Sequence, residues 1–291
     1  VQGEGLDFFS PHTVVQAVAS LSDSRFGKID LDNIQTDVTL KGQQLLANVL
    51  CDNSQLQVQL KLDTELQKHL IDGSLDMDVP LVDIQGMGFS EERMQASSRG
   101  TVTFSYDWGE IFSINSHIDE LSLLVRKDSV HAENMDLYAA AQKDTTVATF
   151  KTGDLVFDFF TPNNVFQLLP RLEELGEVAG QQFKDRNVNL DVLKTYFPDV
   201  SLHAAAGYEN PLADLLNVYG IRFREFLTDI EMTPEDGVMS NGHVYSFVMD
   251  DVMVDTAFFT IMQDTTQLDY RVGVQCHEQP QLPAFRAYLE G

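Results

Sequence analysis

The chain has 291 residues, 43% of them apolar, and a formal net charge of −26 at pH 7 with only 19 Lys and Arg. This length allows one large β domain or two ordinary ones with a sizeable core, and the apolar content excludes a chain that is disordered by composition. A surface this acidic repels nucleic-acid phosphates and anionic lipid headgroups, which excludes nucleic-acid binding and disfavours docking on an anionic membrane.

The first predicted element is a short helix near the N-terminus. Ser10 has the chemistry of an N-cap, and Pro11 suits the first helical position. Apolar residues follow at Val14, Val18 and Leu21, a spacing that is typical of one face of a helix.

Alternation of apolar and polar residues dominates the chain from residue 55 onward. Runs with an apolar residue at every second position cover 55–63, 74–81, 101–106, 155–159 and 200–204. A period of two gives a strand one apolar face and one wet face, whereas strands buried in a parallel sheet are apolar on both faces. The pattern therefore predicts a mainly β fold with a mostly antiparallel, half-covered sheet.

Three short polar segments between alternating runs are predicted to be hairpin turns. They are Asp52-Asn53-Ser54, Asp144-Thr145-Thr146 and Asp264-Thr265-Thr266. Asp, Asn, Ser and Thr side chains bond to nearby backbone amides, which makes them common turn residues. Each segment is expected to join adjacent antiparallel strands.

A second helix is predicted after Thr161-Pro162, a pair with the same chemistry as Ser10-Pro11. Pro170 interrupts its ladder, so a kink or a second start is expected there. The apolar stripe continues through Leu172, Leu175, Ala179 and Phe183. A third short helix is predicted from Pro211 to Val218.

Internal repeats indicate how the chain is organised. Asp7-Phe8-Phe9-Ser10-Pro11 is similar to Asp158-Phe159-Phe160-Thr161-Pro162, which predicts a strand entering a proline-started helix twice. With the recurring turn segments, this indicates an array that grows by adding hairpins. The first β-repeat unit, with its N-terminal helix, is placed at 1–160. The second, with its helical segment followed by β-repeat, is placed at 161–291, in one continuous domain cut from a longer chain.

The search for catalytic and metal-binding motifs is almost empty. The sequence has no nucleophile elbow, phosphate loop or dinucleotide fingerprint, and no pair of its seven His residues has a helical metal spacing. Trp108 could stack on a sugar or be a turn or core tryptophan. Cys51 and Cys276 fit neither a zinc spacing nor a disulfide framework, and whether they pair stays open. The sequence therefore predicts a protein that is not an enzyme, with no metal and no cofactor, and with no membrane span in this segment.

The apolar side of the predicted sheet is the remaining candidate site. It is either the core of an ordinary sandwich or a hydrophobic groove left open for lipid, and both require the same alternation. The candidate groove-lining residues are Leu56, Val58, Leu60, Leu62, Leu75, Met77, Val79, Val102, Phe104, Phe157, Phe159, Val252 and Val254.

Several stretches resemble a known family. The runs 237–247, 250–256 and 263–270 near the C-terminus, together with 72–88 and 153–159, resemble the repeats of TamB-like translocation and assembly module proteins of Bacteroidetes, within the AsmA-like superfamily. The likeness lies in repeat patterns and covers most of the chain. The helical stretch from Pro162 to Phe183 departs from this likeness. Three roles are open for it: it plugs the groove, it caps the groove, or it closes one end of the groove.

The resemblance implies a curled, groove-like or taco-like β-sheet in a periplasmic protein that is anchored in the inner membrane and reaches the outer membrane. Such a groove would carry phospholipid acyl chains between the two membranes, and a link to outer-membrane protein assembly is also implied. The leading hypothesis is therefore a non-catalytic segment of a lipid-conducting bridge. The alternative is an all-β cell-surface module that binds glycan or protein.

Overall fold

The protein is mainly β, as the alternating runs predict. The computed structural model describes residues 2–5, 7–108, 111–187, 189–249, 252–263, 267–279 and 283–291. The chain forms two compact units, Val1–Tyr138 and Ala139–Gly291, named here the N-terminal unit and the C-terminal unit. The division falls inside one long strand, Asp128–Gln142, whereas the repeat pattern places it at residue 160.

The N-terminal unit contains two very short strands and eight that form one ladder. The strands are β1 Gln2–Glu4, β2 Val14–Leu21, β3 Arg25–Phe26, β4 Ile29–Asp30, β5 Ile34–Lys41, β6 Gln44–Asp52, β7 Leu56–Leu66, β8 Leu70–Asp83, β9 Met94–Asp107 and β10 Ile111–Val125. The ladder runs in the order β1, β2, β5, β6, β7, β8, β9, β10, and each of these pairings is antiparallel. β3 and β4 form a separate hairpin.

The strand that contains the division is β11, Asp128–Gln142. The remaining elements of the C-terminal unit are β12 Thr145–Thr152, β13 Leu155–Thr161, α1 Val165–Lys184, α2 Leu190–Thr195, β14 Val200–Ala206, α3 Pro211–Val218, β15 Ile221–Arg222, β16 Glu225–Thr233, β17 Gly237–Met249, β18 Val252–Gln263, β19 Leu268–Cys276 and β20 Phe285–Glu290. Its antiparallel ladder runs β12, β13, β14, β16, β17, β18, β19, β20, and β15 pairs with β17.

Each of the five alternating runs lies in a strand of the structure. They fall in β7, β8, β9, β13 and β14. In β7, Leu60 and Leu62 point to one side of the sheet, while Gln59 and Lys61 are exposed on the other. The local pattern therefore sets which side of each strand is apolar, because successive side chains of a strand alternate between its two faces.

The first predicted hairpin turn is confirmed. Asn53 lies between β6 and β7, which pair antiparallel, and its side-chain oxygen accepts hydrogen bonds from the backbone N–H of Leu56 at 2.8 Å and of Gln55 at 3.0 Å. Asp144 lies in the turn between β11 and β12, and Thr145 and Thr146 begin β12. The third segment, 264–266, lies outside the described residues.

The predicted N-terminal helix is wrong. Residues 14–21 form strand β2, which pairs along its whole length with β5. Ser10 and Pro11 instead belong to consecutive turns, in which the Ser10 hydroxyl accepts a hydrogen bond from the backbone N–H of His12 at 3.3 Å. Of the two similar segments, only the one at 158–162 is followed by a helix, so the two segments adopt different structures.

The other two helices lie where the sequence predicts them. α1 continues through Pro170 as one helix, so a second start there is wrong. Its N-cap lies three residues beyond the predicted Thr161, because Asn164 accepts the hydrogen bond from the Phe166 N–H at 2.9 Å. α3 spans Pro211–Val218, with Asn210 capping the Ala213 N–H at 2.9 Å.

Candidate functional site

On one side of the ladder of the N-terminal unit, the described residues in register carry no charged side chain; this side is named here its apolar face. The predicted groove residues on it are Leu56, Val58, Leu60, Leu62, Leu75, Met77, Val79, Val102 and Phe104. Cross-strand partners bring them together: Leu62 faces Leu75, and Leu75 faces Val102. From β2 to β10, the described positions in register with these residues carry only apolar, Gly, Ser, Thr, Cys or Tyr side chains.

The opposite side of the same strands is polar and rich in carboxylates. Lys61 faces Asp76, and Asp63 faces Ser74. Arg99 lies 3.7 Å from the Asp78 carboxylate in an ion pair exposed to solvent. Side chains of opposite character on the two faces give the sheet a wet side and a dry side, as the alternation predicts.

The C-terminal unit repeats this arrangement with more aromatic residues. Phe157 faces Phe150 and Ala204, and Phe159 faces Ala148 and Leu202. The described positions in register with them, through β20, are again uncharged. On the opposite side His203 bonds to the Asp229 carboxylate at 2.6 Å.

Val252 and Val254 do not follow the other predicted residues. They lie five and three positions before Ala257, which faces Val244 and Val274 on the apolar side of the C-terminal unit. An odd spacing in a strand points to the other face. Their partners are Met249 and Phe247. The sequence alone could not place them, because both sides of β18 carry apolar residues.

The apolar faces are only partly withdrawn from solvent. Of the predicted groove residues, Val252 is 42% exposed and the other twelve are half-buried. The whole chain exposes 17,936 Å², against about 12,400 Å² for a compact monomer of its 32.7 kDa. Two separate compact proteins of half that mass would expose only about 15,000 Å². The larger exposed area agrees with apolar faces that are only half-buried.

Glycines on the faces are covered by aromatic rings of the neighbouring strand. A Cβ on Gly73 would lie 2.7 Å from Cζ of Phe104 and 2.6 Å from the Thr64 hydroxyl. A Cβ on Gly242 would meet the ring of Phe259 in the same way. Each ring thus occupies the space that a side chain at the glycine position would need.

Other candidate residues have structural environments. Cys51 and Cys276 are both free and buried, and burial, followed by Asp30 and Asp52, raises the pKa of the Cys51 thiol. A raised pKa makes a thiol unreactive at neutral pH. Trp108 follows β9, is 53% exposed, and meets Tyr106 edge to face.

Two strongly exposed phenylalanines lie at one end of the N-terminal unit, and alternation did not predict them. Phe26 is 73% exposed in the β3–β4 hairpin, and Phe89 is 71% exposed in the loop before β9. The available signal was the glycine beside each of them, in Phe26-Gly27 and Gly88-Phe89, which is typical of turns.

Among the described helices, none has the length and apolar character needed to cross a membrane. In the same part of the chain, His, Cys, Asp and Glu side chains do not gather in threes around a possible metal position. Comparison of the chain with protein-family models, curated proteins and solved structures finds no match of any of the three kinds.

Proposed function

We propose that this protein is a non-catalytic segment of a periplasmic bridge whose apolar faces carry phospholipid acyl chains between the inner and outer membranes. Support for outer-membrane protein assembly belongs to the same proposal. The observation that carries it is a wide sheet face without charges that the described chain leaves partly open to solvent. The resemblance of the repeats to TamB-like proteins agrees with this reading.

The chemistry of the face favours hydrocarbon over other ligands. Leu, Val, Met and Phe side chains offer no hydrogen bonds, so a sugar or a headgroup placed there would lose those it makes with water. An acyl chain loses none and gains about 0.8 kcal/mol for each methylene removed from water. A sheet that curls around this face would enclose the chain further.

The opposite, acidic face supports the same orientation. Its carboxylates stay hydrated, so this side remains in contact with water while acyl chains take the dry side. It also repels anionic headgroups, which confines lipid to the apolar face. A glycan-binding module would instead be expected to use the polar side.

A matched pair of substitutions on β9 tests the proposal. Val102 lies on the apolar face between Leu75 and Ser116, and Thr103 lies next to it on the opposite side. We expect Val102→Asp to abolish photo-crosslinking to a diazirine-labelled phospholipid, because an unpaired carboxylate among acyl chains is strongly disfavoured. Thr103→Asp should crosslink like the parent protein. Circular dichroism should show both variants folded, since Val102 is only half-buried.

Two results would contradict the proposal. If the parent protein never crosslinks lipid and Val102→Asp unfolds, the face is an ordinary core. If the parent protein carries no lipid but binds glycan tightly, and Thr103→Asp removes that binding, the surface module replaces the bridge.

A further inference from the structure

The β3–β4 hairpin displays an apolar side chain between two cations. Arg25, Phe26, Gly27 and Lys28 are all exposed, and Gly27 has a φ of 63° at the turn. A positive φ is readily adopted by glycine, so the hairpin can turn tightly here. In a chain of net charge −26, this tip carries two of the 19 Lys and Arg residues around one protruding phenyl ring.

The loop between β8 and β9 carries the exposed Phe89 and lies against this hairpin. Its backbone is fixed by the Phe89 N–H, which donates to the Ile84 carbonyl at 3.0 Å. A Cβ on Gly88 would lie 2.5 Å from Cδ of Lys28, so the lysine stem crosses directly over that glycine. The hairpin and the loop are therefore in contact, and together they are named here the aromatic tip.

Gln55 holds the two parts of the aromatic tip together. Its side-chain nitrogen donates to the Lys28 carbonyl at 3.1 Å and to the Gly86 carbonyl at 2.8 Å, and its side-chain oxygen accepts from the Asp30 N–H at 2.7 Å. Asn53 adds hydrogen bonds to the carbonyls of Asp30 and Asp32, each at 3.1 Å. The exposed rings thus lie on a hairpin and a loop that hydrogen bonds hold together.

The size of the apolar surface narrows the class of partner. A phenylalanine side chain buries at most about 250 Å², so two rings that are about 70% exposed offer at most about 350 Å². A stable protein interface needs about 800 Å² from each partner. A lipid bilayer needs no matching pocket, because separate apolar side chains insert among acyl chains while Arg and Lys remain beside lipid phosphates.

We propose that the aromatic tip docks the N-terminal unit onto the surface of a zwitterionic phospholipid bilayer. Phe26 and Phe89 enter the interface, and Arg25 and Lys28 face the phosphates. A zwitterionic surface supplies those phosphates without the net negative charge that would repel a chain of −26. This function goes beyond carriage of lipid on the apolar face and does not depend on it.

Vesicle flotation tests the proposal. The parent protein should float with phosphatidylcholine vesicles and float less when phosphatidylglycerol replaces part of the phosphatidylcholine. The double variant Phe26→Ser/Phe89→Ser should partition at least about tenfold less, because two apolar anchors are lost. Phe8→Ser is the matched control, since Phe8 is 57% exposed in a turn outside the aromatic tip.

The single tryptophan of the chain gives a second readout that reports orientation. Trp108 lies at the far end of β9 from the aromatic tip, roughly 45 Å away along a strand of 14 residues. Lipids brominated in their acyl chains should quench a tryptophan introduced by Phe26→Trp in a Trp108→Phe background. They should quench Trp108 of the parent protein less than this introduced tryptophan.

Equal flotation of the parent protein and the double variant would overturn the proposal. An absence of flotation by the parent protein would overturn it too. If, in that case, the parent protein bound a protein partner and the double variant did not, the aromatic tip would be a protein interface. The two proposals fail separately. Lost crosslinking in Val102→Asp with unchanged flotation leaves both intact, whereas a parent protein that floats without crosslinking on the apolar face supports docking alone.

Discussion

Replacement of Gln55 by alanine should loosen one end of the N-terminal unit while leaving the ladder of strands in place. The side chain makes three hydrogen bonds, to the backbone of Lys28, Asp30 and Gly86. Alanine removes all of them and leaves one N–H and two carbonyl groups without this partner. The Gln55 backbone is expected to stay, because its carbonyl still accepts from the Asp83 N–H at 2.7 Å.

The size of the effect follows from those three bonds. Each hydrogen bond between neutral groups contributes about 0.5–1.5 kcal/mol net. Gln55 is half-buried, so water can replace part of what is lost, and the expected loss of unfolding free energy is about 1–3 kcal/mol. The unfolding free energy of a folded domain is about 5–15 kcal/mol, so a loss of this size is measurable.

Urea unfolding and hydrogen exchange together test this prediction. The urea concentration at the midpoint of unfolding should be lower for Gln55→Ala than for the parent protein. In the variant, the backbone amides of 22–33 and 84–93 should exchange faster, while those of β7 to β9 should change little. Gln59→Ala is the control, since Gln59 is exposed on the polar side of β7, the strand that begins directly after Gln55. Faster exchange spread evenly over the unit, or no change in the two loops, would refute the idea that Gln55 ties them.

Three further predictions concern single residues. Gly73→Ala should lower the unfolding free energy by about 1–3 kcal/mol in urea titration, since its methyl would lie 2.6 Å from the Thr64 hydroxyl; an unchanged midpoint would contradict the packing. Gly176→Ala should stabilise α1 by about 0.5–1 kcal/mol, because a Cβ there meets nothing within 4 Å, and a lower melting temperature would contradict this. The hydrogen bond to Asp136 raises the pKa of His117 above its usual 6.5. Its stabilising effect, measured as the midpoint difference from His117→Gln, should be complete below pH 6.5 and fade as the pH rises through the raised pKa; a difference that grows with pH would contradict it.

The strands were predictable because their signal is local. A period of two in residues 55–63 or 101–106 needs no distant partner to be read, and it assigned the sidedness of β7 and β9 correctly. α3 was predictable for a similar reason, because Asn210 and Pro211 supply a cap and a first turn within one short segment.

The incorrect predictions concern segments whose structure depends on residues that are distant in the sequence. Val14-Val15-Gln16-Ala17-Val18 fits a helix or a strand, and pairing with β5 selects the strand. Thr161 looked like the cap of α1, but its hydroxyl donates to the Asp199 carbonyl at 2.6 Å, and Asn164 takes the cap. The aromatic tip depends on Gln55, which is 27 residues from Lys28 and 31 from Gly86, so no local pattern could indicate it.

A sheet whose apolar face is only half-buried also has consequences for how each unit unfolds. Its strands are stabilised mainly by the strands on either side, so stability accumulates from neighbour to neighbour, as in repeat proteins. Short β1, with three residues against β2, should detach first, while β8, β9 and β10, with 14, 14 and 15 residues, should persist longest. Each unit would therefore lose its strands in succession from the edge under mechanical load, and the folded remainder would keep its dry side intact.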